Sequence, residues 1–196
     1  MAQVGMKYPV YAPIADYTPG QPIQYGQGIV LGEAIRAEVN LERADARLYG
    51  DNALQDRDNS ITGGSETLNV TRLSLEKKAT VLGLVHDEEK DEYYVTDAAS
   101  PYGGNGYLNE YREKGHTSYE GIWIYRAQFS ADSMTSQTKA QTIEFNTPTI
   151  NGEVFGVSLD NTGEIRFYTH KFFKTEAEGI AWLKTMANIP DETTEG

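Results

Sequence analysis

The chain has 196 residues, 39% of them aliphatic or aromatic, enough for one domain with a substantial core. Its 17 basic and 29 acidic residues give a net charge of −12, which argues against a surface that binds nucleic acid or anionic membranes. There are no cysteines, so a disulfide framework and a Cys-based zinc site are excluded, and no segment reaches the roughly 20 apolar residues of a membrane-spanning helix. The first residues, "MAQVGMKYPVYAPIADYTPG", lack the apolar run of a signal peptide, so synthesis in a cytoplasm is expected.

Residues 1–24 carry Pro9, Pro13, Pro19 and Pro22, which forbid a helix and would interrupt a central strand. Tyr8, Val10, Tyr11, Ile14 and Tyr17 make the segment too aromatic for a solvated tail. It reads as an extended N-terminal arm that packs on its own domain or on a neighbour. A single β domain is expected over 25–189, followed by an acidic tail at 190–196.

From Ile29 the alternation is strong. Ile29, Leu31, Ile35, Ala37, Val39 and Leu41 share one face, and Arg36, Glu38, Asn40 and Glu42 the other. Residues 43–64 then read as a long acidic loop, "LYGDNALQDRDNSITGG" being its main part, before Leu68 and Val70 resume a strand. Loops of this length are usually functional or disordered. Ser74 is placed to cap a short helix with Leu75, Ala79 and Leu82 on one side and Gly83 at its end.

"HDEEKDEYYV" reads as a charged turn entering a strand, and residues 100–115, rich in Gly and Tyr, as a second long loop. "GIWIYRAQFS" has almost no polar face and is expected to be a central strand or an interface. In "QTIEFNTPTI", Ile143 and Phe145 oppose Thr142, Glu144 and Asn146, and Asn151-Gly152 signals a hairpin turn. Residues 160–163 form another turn. Thr175 and Glu178 make a capping box for a last helix, with Ile180, Leu183 and Ala187 on one face and Pro190 as its stop. The sum is a mainly-β fold, a β-sandwich or open barrel, with a flanking α-helix and a second short helix.

Chemistry is hard to find. His86, His116 and His170 each stand alone, without the spacing of a metal site. Residues 103–106 (Gly-Gly-Asn-Gly) lack the Lys-Ser/Thr and the strand-to-helix setting of a phosphate loop. "DNALQDRDN" has Ala53 and Gln55 at alternate positions where a calcium loop needs ligands. No Gly-x-Ser-x-Gly turn is present. The chain is therefore expected to be no enzyme and to need no cofactor.

Five segments in order carry a likeness: "GMKYPVYAP", "YGQGIVLGEAIRAEV", "DNSITGG", "GIWIYRAQFS" and "QTIEFNTPTINGEVFG". Over residues 5–190 the chain resembles the major tail proteins, the tail-tube subunits, of phages with long non-contractile tails. The resemblance implies a tail-tube type of sandwich or barrel, hexameric rings stacked into a tube, and a conduit for ejecting genomic DNA. It implies a virion protein made in the host cytoplasm. Its partners would be copies of itself, a tape-measure protein, a tail terminator and baseplate or distal tail proteins, with double-stranded DNA only in transit and no membrane. Relatives often carry a tight acidic pair in the long loop, whereas here Asn52 follows Asp51.

Within that frame the 43–64 loop is the expected inter-ring contact, with Leu48, Tyr49 and Leu54 as apolar anchors and Asp51, Asp56, Arg57 and Asp58 for pairing across rings. The candidate lumen face consists of Arg36, Glu38, Asn40, Thr67, Asn69, Thr142 and Glu144. Two other readings stay open. One is a different virion or surface binding module, such as a capsid decoration or carbohydrate-binding protein using "SPYGGNGYLNEY" as an aromatic loop. The other is a hydrolase with paired carboxylates.

Overall fold

In a computed structural model, residues 2–50, 53–130 and 147–190 are described. Thr142 and Glu144 of the expected lumen face, Asp51 of the expected inter-ring loop, and the acidic tail beyond Pro190 lie outside them. In chain order the elements are β1 (Ala2–Asp16), β2 (Gln24–Tyr25), β3 (Ile29–Val30), β4 (Ala34–Arg43), β5 (Ala46–Gly50), β6 (Ala53–Asp58) and β7 (Ile61–Val70), then helix α1 (Leu75–Leu82). There follow β8 (Val85–Asp87), β9 (Glu92–Tyr94), β10 (Tyr102–Glu113), β11 (His116–Ser130), β12 (Thr149–Val154), β13 (Val157–Ser158), β14 (Ile165–Arg166) and β15 (Tyr168–Phe173), then helix α2 (Glu176–Met186). The protein is mainly β, built on a nine-stranded sheet in which β2-β1-β10-β11-β12-β7-β4 are neighbours in order and every pairing is antiparallel.

The sheet forks at β11. Residues Ala127 to Ser130 of this strand pair with β12, while Tyr119 to Ile124 pair with β15 on the same edge. Between the two stretches the ladder to β10 slips, because Gly103 faces Ala127 but Asn105 faces Ile124. One extra residue enters β11 there. Such a bulge raises the local twist and bends the strand, which lets its two halves hold different partners.

Two clusters fill the two faces. The first gathers Tyr11, Leu31, Leu68, Val70, Ile124, Phe129, Ile150 and Val154, with Val81 of α1. The second gathers Val10, Ala12, Leu108 and Trp123 beneath Leu183 of α2 and Ala187, its C-cap. Alternation along β1 explains the split, since Val10 and Ala12 face α2 and Tyr11 the other cluster.

The expected N-terminal arm is thus a strand of the sheet, packed on its own domain, and Val10, Tyr11 and Ala12 are wholly buried. Its prolines are tolerated for specific reasons. Pro9 falls in a bulge, where the register jumps between Lys7 and Val10, Tyr8 has φ 52°, and the Pro9 carbonyl accepts from Leu31 N at 2.8 Å. Pro13 ends the ladder to β10, and Pro19 and Pro22 follow the strand. None removes a needed donor from the middle of a ladder.

The expected loop at 100–115 is also a strand, β10, and the hinge of that difference is its glycines. A Cβ on Gly103 would lie 2.3 Å from the Tyr11 ring, one on Gly104 2.5 Å from Trp123, and one on Gly106 2.5 Å from the Ile122 carbonyl. Glycine here makes room for rings that cross the strand. Tyr25 and Trp123 meet edge to face at 5.2 Å, with Trp123 Nε1 donating to the Tyr25 hydroxyl at 3.2 Å and that hydroxyl donating to the Tyr125 carbonyl. Asn151-Gly152 is likewise not a turn. It lies inside β12, where Gly152 backs onto the Phe129 ring.

The helices form where capping directs them. Ser74 accepts from Lys77 N and Gly83 closes α1 at φ 72°, although Leu75 points outward and Val81 is the residue that α1 buries. The Thr175–Glu178 box opens α2 as its spacing requires. No described helix is long and apolar enough to cross a membrane.

The glycine row yields a test. Gly106→Ala meets a backbone carbonyl, which cannot swing aside as a side chain can, so a loss of about 1–3 kcal/mol is expected. Urea unfolding should show a lower midpoint at unchanged slope. An unchanged midpoint would show that β10 does not pack as described.

Candidate assembly surface

Strand β4 pairs with β7 over residues 34–43 and ends the sheet order. Among the described residues its other edge is unpaired. A ten-residue edge with open N–H and C=O groups is a template for a further strand, and monomeric proteins usually shield such an edge.

The outward face of this sheet region is polar and follows from register. Arg36 lies opposite Asn69 and then Thr149; Glu38 opposite Thr67 and then Asn151; Asn40 opposite Ser65 and then Glu153. The intervening residues Val39, Leu41, Leu68 and Ile150 turn inward to the first cluster. Side chains on this face bond laterally. Glu38 accepts from Arg36 at 2.5 Å and from Asn40 at 3.2 Å, Thr67 donates to Asn151 at 3.1 Å, and Asn69 donates to Thr149 at 2.5 Å. The structure therefore brings together five of the expected lumen residues, Arg36, Glu38, Asn40, Thr67 and Asn69.

The β12 contribution was missed in the sequence. Thr149, Asn151 and Glu153 alternate with Ile150, Gly152 and Val154, a period of two that is legible once Asn-Gly is not taken for a turn. The face leans acidic, because Glu38, Glu42 and Glu153 outnumber Arg36 among its charged members.

The expected loop at 43–64 is a correction. It is a β-hairpin in which β5 and β6 pair antiparallel, Ala46 opposite Asp58 and Gly50 opposite Ala53. It forms a two-stranded sheet of its own, joined to the large sheet through β4 and β7. The junction is tied by Ala44 N donating to the Ser60 carbonyl at 2.8 Å and by Arg43 Nη1 donating to the Asn59 carbonyl at 3.1 Å. At its foot the Asp58 carboxylate accepts from Ser60 N at 2.9 Å, and these Ser60 contacts hold its pKa below the usual carboxylate range. Leu48, Tyr49, Leu54, Asp56 and Arg57 belong to the hairpin's two strands, but their side chains lie outside the described part. The alternation that marks a strand is blurred here by three Asp, an Asn and a Gly within 50–58.

The isolated histidine His170 proves to be partnered. Its Nδ1 lies 2.8 Å from Glu120, whose other oxygen accepts from the Tyr111 hydroxyl at 2.7 Å. His170 and Glu120 line a cleft of about 400 Å³ between β4 and β15, walled also by Val39, Leu41, Ile122 and Tyr168.

No protein-family model matches the chain, and no curated protein matches its sequence.

The lateral bonds of the polar face are solvent-exposed, so screening and side-chain entropy should cancel most of their value. Glu38→Gln is expected to leave the denaturant midpoint unchanged within error. A clear fall would show that the Arg36–Glu38–Asn40 set holds the edge of the sheet.

Proposed function

We propose that the chain is a structural subunit that works by binding copies of itself, and that its role is the tail tube of a phage with a long non-contractile tail. The observation that supports this best is the edge of β4 left open among the described residues, continuous at one end with the β5–β6 hairpin. An edge of this kind suits lateral pairing within a ring, since a strand from the next subunit would satisfy its backbone groups and remove the aggregation hazard. A hairpin at the end of the same strands suits contact with the next ring, because head-to-tail contacts that do not close propagate into filaments. Hexameric rings and a tail-tube variety of β fold come from the resemblance of the sequence segments.

In such a tube the polar face of β4, β7 and β12 would line the lumen. DNA carries about one negative charge per 1.7 Å of axis. Glu38, Glu42 and Glu153 would repel it weakly, and the single Arg36, already engaged by Glu38, would give it no binding register. DNA would pass without being held. The virion location, and partners such as a tape-measure protein, a terminator and a baseplate initiator, belong to the same reading.

The alternative of a carbohydrate-binding or decoration module rested on "SPYGGNGYLNEY" as an aromatic loop. That stretch is mostly the buried strand β10, so this reading loses its site.

Negative-stain microscopy of concentrated protein tests the proposal. Rings or tubes are the expected result, and a persistent monomer, even with a tail initiation complex supplied, would contradict it. Deleting residues 51–58 is expected to leave a folded subunit that forms no tubes. Normal tubes from that deletion would remove the hairpin from the account.

A further inference from the structure

Glu66 is 1% exposed and Asn105 is also 1% exposed, and among the described residues no buried cation accompanies them. They come from different parts of the sheet. Glu66 projects from β7, where its ladder neighbours are Val39 and Gly152, and Asn105 from β10, between Tyr11 and Ile124. Asn105 Nδ2 donates to Glu66 Oε1 at 2.6 Å. The two remaining atoms of these planar groups, Glu66 Oε2 and Asn105 Oδ1, have no partner among the described residues. A carboxylate cannot satisfy both, because both atoms are acceptors. A carboxylic acid can, because its O–H donates to the amide oxygen.

We propose that Glu66 is held as a neutral acid and forms a two-bond ring with Asn105, a pH-sensitive tie between β7 and β10 across the core. Both orphaned atoms are then satisfied by one proton, and the cost of burying an ionised carboxylate is avoided. Burial pushes the Glu66 carboxyl up to about 8, against the pull of the Asn105 hydrogen bond. The ionisable groups near it are Tyr107 of β10 and Tyr11 of β1, both raised by burial, with Glu120 of β11 and His170 of β15 at the cleft between β4 and β15. None of these supplies a buried cation that would favour the ionised form. Val39, the ladder neighbour of Glu66, and Tyr107 line that cleft as well, so the tie lies just behind its wall.

The sign follows from linkage. The unfolded chain releases this proton near 4.5 and the folded one near 8. Folded protein therefore holds the extra proton across that window, and stability falls as pH rises through it, by about tenfold in the folding constant per pH unit. Below 4.5 the term is fully present, and above 8 its loss is complete. The carboxylates of Glu110, Asp58 and Asp160 are shifted downward, so their contributions change only at more acidic pH.

Glu66→Gln tests this directly, because an amide donates to Asn105 Oδ1 and accepts from Nδ2 at every pH. Urea unfolding between about pH 5 and 8 is expected to show a one-proton slope in the native protein that is absent in E66Q, with E66Q the more stable at the alkaline end. Equal slopes would overturn the proposal. Infrared spectroscopy of the native protein keeps the question open to decision if E66Q fails to fold. A protonated-carboxyl C=O band at about pH 6 that vanishes toward alkaline pH supports the tie, and no such band overturns it.

Discussion

The architecture depends on one strand serving three partners. Along one edge β11 pairs with β10 throughout, and along the other it gives its first half to β15 and its second to β12. The bulge opposite Gly103 and Asn105 permits this by bending the strand between Ile124 and Ala127. Because the halves diverge, the sheet has two branches. One runs through β12 and β7 to β4, and the other ends at β15. The first cluster fills the space they enclose, and α2 covers the opposite face of β1, β10 and β11. Trp123 and Phe129, fully buried on opposite faces of β11, are worth about 1.5–3 kcal/mol each by burial alone.

This branching determines what remains available. The first branch ends in β4, whose other edge is unpaired among the described residues, and the ladder of β4 and β7 leads into the β5–β6 hairpin. Thus one pair of strands carries the polar face, the edge and the hairpin together. Any partner that pairs with β4 is placed beside the hairpin without a further adjustment of the fold. Polar residues outward and Val39, Leu41, Leu68 and Ile150 inward also fix the register, since a one-residue slip would exchange the two sets.

Part of this was legible in the sequence, and part was not, for physical reasons. The alternation of Arg36, Glu38 and Asn40 with Ala37, Val39 and Leu41 revealed β4, and Thr175 with Glu178 revealed the start of α2. Local rules sufficed there. Ile35 was assigned inward with them, but the register shift between Ala34 and Arg36 leaves it 47% exposed. The glycines of β10 looked like a loop because their reason, the rings of Tyr11, Tyr25 and Trp123, lies on other strands. Asn151-Gly152 misled in the same way, with Phe129 as the hidden neighbour. Pro9 and Pro13 suggested an arm because bulges and ladder ends cannot be seen without the partner strand. Glu66 shares the face of Leu68 and Val70 by alternation, but its partner Asn105 lies on another strand, where no local pattern in the sequence points to it.

The central claim is that the free edge of β4 is completed by another copy of the chain. Hydrogen exchange measured on dilute and on concentrated protein tests it most directly. The amides of β4 that face away from β7 should exchange quickly in the dilute sample and become protected in the concentrated one, while β10, paired with β1 on one side and β11 on the other, stays protected in both. If the β4 amides exchange equally fast at both concentrations, or are already protected in the isolated subunit, the edge is not where copies meet.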